Sequence, residues 1–247
     1  RAEVWVDGVL SESEEVADPL AYAEAFQLRY RSAPRDDLPV FHGGLVGYFG
    51  YDTVRYVEPR LAAGMPPDRL GTPDILLMVS EEVLVVDNLA GTIRLIVNTD
   101  VAQENALDQA RERLSVLESR LRAPMRALPE VMLGAADSAA LEQQAESDFT
   151  QAMYEASVEK VKEYVLAGDV MQVVPSQRMS IPFNAPPLNL YRALRNLNPS
   201  PYMYYLDLGD FHIVGSSPEI LARLEKGEVT VRPIAGTRRR GHTQEED

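Results

Sequence analysis

The stretch DILLMVSEEVLVVDNLAGTIRLIVNT, Asp74 to Thr99, constrains the fold of this chain more tightly than any other part of the sequence. Its runs are dense in Val, Ile and Leu, side chains that pack well on a pleated surface. Asn88 to Gly91 separates two of the runs with turn-forming residues. The stretch therefore predicts strands joined by a turn, and commits this part of the chain to a sheet.

Helical patterns stand on both sides of it. Asp18-Pro19 reads as a helix entry, with Asp as N-cap and Pro at the first helical position. It leads into LAYAEAFQLRYR, where Tyr22, Phe26 and Tyr30 fall at helical spacing. Asp100 and Gln103 have capping-box spacing, and Leu107, Ala110, Leu114, Leu117 and Leu121 follow as an amphipathic stripe ending near Ala123-Pro124. A further capped helix is predicted from Asp148, with Gln151 three residues on, Phe149, Met153, Val161 and Val165 toward one side, and Gly168 as its stop.

The segment DVMQVVPSQRMSIPF then reads as a strand. Leu190, Leu194 and Leu197 mark a short helix that Asn198-Pro199 terminates, because proline disfavours helical geometry in the residue before it. After it YMYYLDL, FHIVG, ILARLE and VTVRPI alternate with turn signals at Gly209-Asp210 and Lys226-Gly227, the pattern of an antiparallel meander. Strands and helices arrive in mixed blocks rather than strict alternation, so the fold class is α+β, with antiparallel sheets and flanking helices, rather than a doubly wound parallel sheet. Residues 124–147, with Pro124, Pro129 and no periodic element, are read as a linker between residues 1–123 and 148–247.

Composition restricts the function classes. The 247 residues are 45% hydrophobic, enough to bury a sizeable core. Lys and Arg total 24 against 38 Asp and Glu, and a net charge of −14 repels phosphate backbones, which argues against nucleic acid as a partner. With no cysteine there is no disulfide scaffold, thiolate metal site or cysteine nucleophile. No apolar run approaches the length of a membrane span and no signal peptide is evident, so the cytoplasm is the expected location and no membrane partner is expected. The chain begins with Arg1 rather than Met and ends within a charged segment, the pattern expected of a piece of a longer protein.

Several stretches carry candidate chemistry. GGLVGYFGYD, Gly43 to Asp52, lacks both the Gly-Lys-Ser/Thr of a phosphate loop and the dinucleotide fingerprint, and reads as close backbone packing. His42, His212 and His242 share no metal-ligand spacing. NPSPYMYY, Asn198 to Tyr205, reads either as a rigid helix-to-strand corner or as one wall of an apolar small-molecule pocket. In VGSSPEIL, Glu219 follows a tight Ser-Ser-Pro segment. A carboxyl group among apolar neighbours holds its proton more readily than one in water, which suits a general acid, although a structural glutamate fits the same pattern. RPIAGTRRRG combines small residues with guanidinium forks that suit carboxylates, and reads as a ligand wall or as a solvated basic turn.

Taken in order and spacing, GDVMQVVPSQR, NPSPYMYY, GSSPE and RPIAGTRRRG closely resemble the anthranilate synthase component I branch of the chorismate-utilising enzymes, and FHGGLVGYFGYD resembles the N-terminal region of that branch. The resemblance implies that residues 1–123 belong to the N-terminal region of such an enzyme and 148–247 to the first part of its chorismate-binding catalytic domain. It implies substrate contacts at Gly236 and Thr237, and a role for Glu219 in protonating the departing C4 hydroxyl of chorismate. Mg²⁺ is the implied cofactor, with ligands expected downstream of Asp247, so that no metal ligand is named here. In relatives that add water at C2 a lysine stands at the place of Gln172, and in covalent aminodeoxychorismate synthases a lysine stands at the place of Ala235. The amide and the methyl group here supply neither amine.

What the resemblance leaves is attack of ammonia on C2, loss of the C4 hydroxyl and elimination of pyruvate to give anthranilate, the first step of tryptophan biosynthesis. A glutamine amidotransferase is the implied partner and source of ammonia. Ser200, Pro201, Tyr202 and Met203 become implied contacts for tryptophan as a feedback inhibitor, the other half of whose site is a Leu-Leu-Glu-Ser-type motif expected upstream of Arg1. Two alternatives stay open: a relative that stops at aminodeoxyisochorismate, and, for this chain by itself, a non-catalytic tryptophan-binding or subunit-docking module.

Overall fold

The computed structural model describes residues 1–33, 35–125, 127–131, 143–233, 239, 241–243 and 245–246. The chain divides into two units, Arg1–Ala127 and Leu128–Asp247. Strands and helices are mixed in both, and the strands among the described residues form six two-stranded antiparallel sheets, in keeping with α+β.

The first unit opens on a hairpin that the sequence reading passed over. β1 (Ala2–Val6) pairs with β2 (Val9–Glu14) across a two-residue turn, in which Asp7 and Gly8 take φ of 50° and 77°. That left-handed pair is what a tight hairpin demands, and Asp-Gly between apolar runs was its sequence signal. The Asp18 carboxylate then accepts from the amides of Leu20 and Ala21 and starts α1 (Pro19–Gln27), as predicted.

β3 (Gly44–Phe49) pairs with β4 (Ile75–Ser80), and β5 (Glu82–Asp87) pairs with β6 (Thr92–Val97). Between β3 and β4 a 3-10 turn leads into the single helical turn α2 (Val54–Val57). Gly47 explains part of the glycine-rich run: a Cβ there would collide with the carbonyl of Leu76 on the paired strand. Asn98 joins the two hairpins, donating from its amide to the carbonyls of His42 (2.7 Å) and Glu81 (3.1 Å).

Beside β6 lies α3 (Ala106–Arg122), whose less exposed residues include Ala110, Leu114 and Leu117 from the predicted stripe, while Leu107 and Leu121 stay exposed. Its start differs from the reading. The N-cap is Asn105, and Asp100 instead accepts from the amide of Ala102 in a preceding turn. Capping-box spacing is local, and an upstream turn satisfies it as well as a helix does.

In the second unit β7 (Glu146–Ser147) precedes α4 (Gln151–Ala167). Thr150, not Asp148, caps α4, accepting from the amide of Met153, and Gly168 at φ 81° ends it as predicted. The less exposed stripe of α4 is Tyr154, Ser157, Val158 and Val161, whereas Met153 and Val165 are exposed. The predicted strand around DVMQVVPSQRMSIPF is confined to β8 (Met179–Ser180), which pairs with β7. Asp148 is used there: its carboxylate accepts from the amide of Arg178 at 3.0 Å and lies 3.4 Å from that residue's guanidinium.

α5 (Pro187–Leu197) ends at Asn198, as its proline predicted. β9 (Tyr202–Asp207) and β10 (His212–Ser217) form one hairpin, and β11 (Arg223–Glu225) and β12 (Glu228–Thr230) another. The predicted continuous meander is thus divided after Ser217, where Pro218 has no N–H to continue a ladder. No hydrophobic side chain among the described residues is fully enclosed.

Candidate active site

The helix-to-strand corner, β9, β10 and the turn after β10 bring several of the singled-out residues together. Register pairs Tyr202 with Ser217, Met203 with Ser216 and Tyr205 with Val214. Successive strand residues face opposite sides. Met203, Tyr205, Val214 and Ser216 share one face, and α5 lies against the hairpin there: the Tyr205 ring sits 6.1 Å from that of Tyr191 and 5.5 Å from His212. The Ser216 hydroxyl donates to the carbonyl of Asn198 at 2.8 Å, closing the corner onto β10.

The opposite face carries Tyr202, Tyr204, Gly215 and Ser217. Tyr204 folds over Gly215, leaving no room for a side chain at that position. Tyr202 and Tyr204 are each 43% exposed, so this aromatic surface is open. Ser200 and Pro201 lead into β9, and all four residues Ser200, Pro201, Tyr202 and Met203 therefore sit at the end of the hairpin from which Glu219 departs.

Glu219 stands two residues beyond β10. The Ser217 hydroxyl donates to the Glu219 carbonyl at 2.9 Å and accepts from its amide at 3.5 Å. Oε1 of Glu219 is sealed from solvent, yet it has no hydrogen-bond partner among the described residues. Buried polar atoms are nearly always paired, so an orphaned carboxyl oxygen singles Glu219 out among the described side chains.

The remaining residues are dispersed or undescribed. Gly236, Thr237 and Ala235 lie outside the described residues. Gln172 is exposed in the irregular segment before Arg178. His42 is occupied by Pro39 and Ser32, His212 lies 3.4 Å from Asp207, and the amide of His242 donates to Glu246. Among the described residues no group of three or more His, Asp or Glu side chains fits a metal ion, and no helix is long and apolar enough to cross a membrane. The sequence reading did not single out the hydroxyls of Ser216 and Ser217, which here hold Asn198 and the Glu219 backbone. Their only signal was adjacency to Pro218-Glu219.

The family model for chorismate binding enzymes matches residues 5–247. This chain belongs to the chorismate-binding enzyme family. Among its relatives, anthranilate synthase component 1 of Pseudomonas putida is 57% identical over 98% of this chain and 48% of that protein. The protein of the same name from Neisseria meningitidis serogroup B is 50% identical over 100% of this chain and 49% of its own length. The one from Aquifex aeolicus is 42% identical over 94% and 46%. The crystal structure of anthranilate synthase component I from Streptococcus pneumoniae TIGR4 superposes with a TM-score of 0.71 at 30% identity, covering 91% of this chain and 49% of that one. The chain thus spans about half the length of the curated relatives it matches.

Proposed function

We propose that this chain is part of an anthranilate synthase component 1, and that the parent enzyme converts chorismate and ammonia to anthranilate and pyruvate in tryptophan biosynthesis. The observation that carries the reading is the 57% identity, sustained over 98% of the chain, to a relative of that name. The setting of Glu219 supports it from a separate direction.

Chorismate loses a hydroxyl from C4 when ammonia adds at C2. Hydroxide is a poor leaving group, and a positioned acid that supplies a proton in the transition state converts it to water. Glu219 is the acid in this reading: its Oε1 is shielded from bulk water and uncommitted to any described partner. The carboxylate left behind is the base available when the C2 proton departs and the enolpyruvyl group leaves as pyruvate. Gln172 and Ala235 offer no amine to activate water or to attack C2, which leaves external ammonia as the nucleophile. Gly236 and Thr237 are assigned to substrate binding, and Ser200, Pro201, Tyr202 and Met203 to tryptophan, whose indole suits the open aromatic surface at Tyr202. Mg²⁺ has no fitting set of ligands among the described residues. A glutamine amidotransferase supplies the ammonia.

The test is an assay of the full-length parent with chorismate, Mg²⁺ and ammonium, following anthranilate by fluorescence and pyruvate by a coupled enzyme. Equimolar anthranilate and pyruvate are expected, with no useful turnover by the 247-residue chain by itself. Isochorismate or aminodeoxyisochorismate as the end product in mass spectrometry would replace this reading.

A further inference from the structure

The setting of Glu219 raises a positioning question, because an acid must be held within a fraction of an ångström of the oxygen it protonates. Nothing described grips its Oε1. What is held by a described partner is its backbone, and the partner is Ser217. One hydroxyl there donates to the Glu219 carbonyl and accepts from the Glu219 amide, spanning Pro218. Proline fixes its own φ and brings no donor, so the two-residue step from β10 to the acid keeps little freedom once the hydroxyl bridges it.

Ser217 is itself fixed. It is the last residue of β10 and pairs with Tyr202, while its neighbour Ser216 is tied on the opposite face to the carbonyl of Asn198. The end of the strand is thus anchored to the exit of α5 on one side and to the backbone of the acid on the other.

We infer that Ser217 is a positioning residue, whose hydroxyl aims the Glu219 carboxyl at the substrate without touching substrate itself. This rests on the reading of Glu219 as the acid. A residue of this kind governs the chemical step and leaves ground-state binding alone, which separates it from a residue lining the substrate pocket.

The experiment compares full-length wild type with Ser217→Ala and Ser217→Thr, measuring kcat, KM for chorismate and the thermal midpoint. For Ser217→Ala we expect kcat to fall roughly 10-fold to 100-fold, the scale of a small misplacement of a reacting group. KM should stay within about twofold. Ser217→Thr, which restores the hydroxyl, should recover most of the loss. Wild-type kcat in the alanine variant, or a folded threonine variant no better than alanine, would overturn the inference, as would a loss confined to KM. Should the alanine variant not fold, Ser217→Cys, similar in size but a weak donor, takes its place under the same criteria. A wild-type enzyme that makes no anthranilate overturns the functional reading and this inference with it, whereas an active wild type with an equally active Ser217→Ala overturns the inference alone.

Discussion

Asp74 in the first unit and Glu219 in the second are both carboxylates at strand ends, and their surroundings are opposite. Asp74 precedes β4 and is engaged through side chain and backbone: Oδ2 accepts from the Arg55 guanidinium at 2.5 Å and from the Tyr56 hydroxyl at 2.7 Å, and its carbonyl accepts from the amide of Gly50 at 2.7 Å. The cluster ties α2 to the edge of the β3–β4 hairpin, and the guanidinium also lies over the Tyr56 ring. Burial, followed by the bond to Asp74, raises the pKa of the Tyr56 phenol and keeps it a donor. Glu219 has a shielded oxygen, Oε1, with no hydrogen-bond partner among the described residues. A carboxylate held by a guanidinium and a phenol stabilises a fold. One that is enclosed without donors costs stability and remains available for chemistry.

The largest effect that could break this contrast is at Glu219. In the full-length enzyme Glu219→Gln should lower kcat by roughly 10²-fold to 10⁴-fold, the range supplied by a general acid, and leave the thermal midpoint within about 2 °C of wild type. A variant that is unstable but active would place Glu219 with Asp74, as a structural carboxylate.

Asp74→Ala should do the reverse. It leaves Arg55 and Tyr56 without their shared acceptor, and a loss of about 1 to 2 kcal/mol in urea unfolding is expected, discounted for the partial exposure of the cluster, with kcat nearly unchanged. Tyr56→Phe, which removes one of the two donors, should cost about half as much.

The smallest expected effect concerns a third carboxylate, Glu82, whose side chain is paired with Arg113 of α3 on the surface of the first unit. The hydrogen bonds to Arg113 hold its pKa below the ordinary 4.5. A depressed carboxylate contributes stability that is present above its unfolded value and disappears as pH falls through its folded value. Wild type should therefore lose slightly more stability than Glu82→Gln on acidification below about pH 4.5, and the two should converge in high salt, which screens an exposed pair. Equal acid sensitivity would show that the pair contributes nothing.

Much of the local architecture was legible in the residues. Asp18-Pro19 starts a helix, Gly168 ends one, Asn198-Pro199 ends another, and Lys226-Gly227 turns a hairpin, because each acts on its immediate neighbours through dihedral preference or a short-range hydrogen bond. For the candidate site, Glu219 and the corner Ser200 to Met203 were singled out by residue type and resemblance, while Gly236 and Thr237 lie outside the described residues.

By itself the sequence determined most of the helices, several of the turns, and which carboxylate follows the Ser-Ser-Pro turn, while the Ala2–Glu14 hairpin and the short extent of β8 were not read from it. Only the tertiary structure decided how individual side chains are spent. Asp148 serves Arg178, 30 residues away, instead of capping α4. Asn98 reaches back 56 residues to His42, Ser216 binds Asn198 across the end of α5, and Glu219 is left without a described partner at Oε1. The physical reason is competition. A polar side chain has few hydrogen bonds to give, and whether a local amide or a distant one receives them depends on which strands and helices the chain has already brought within 3 Å.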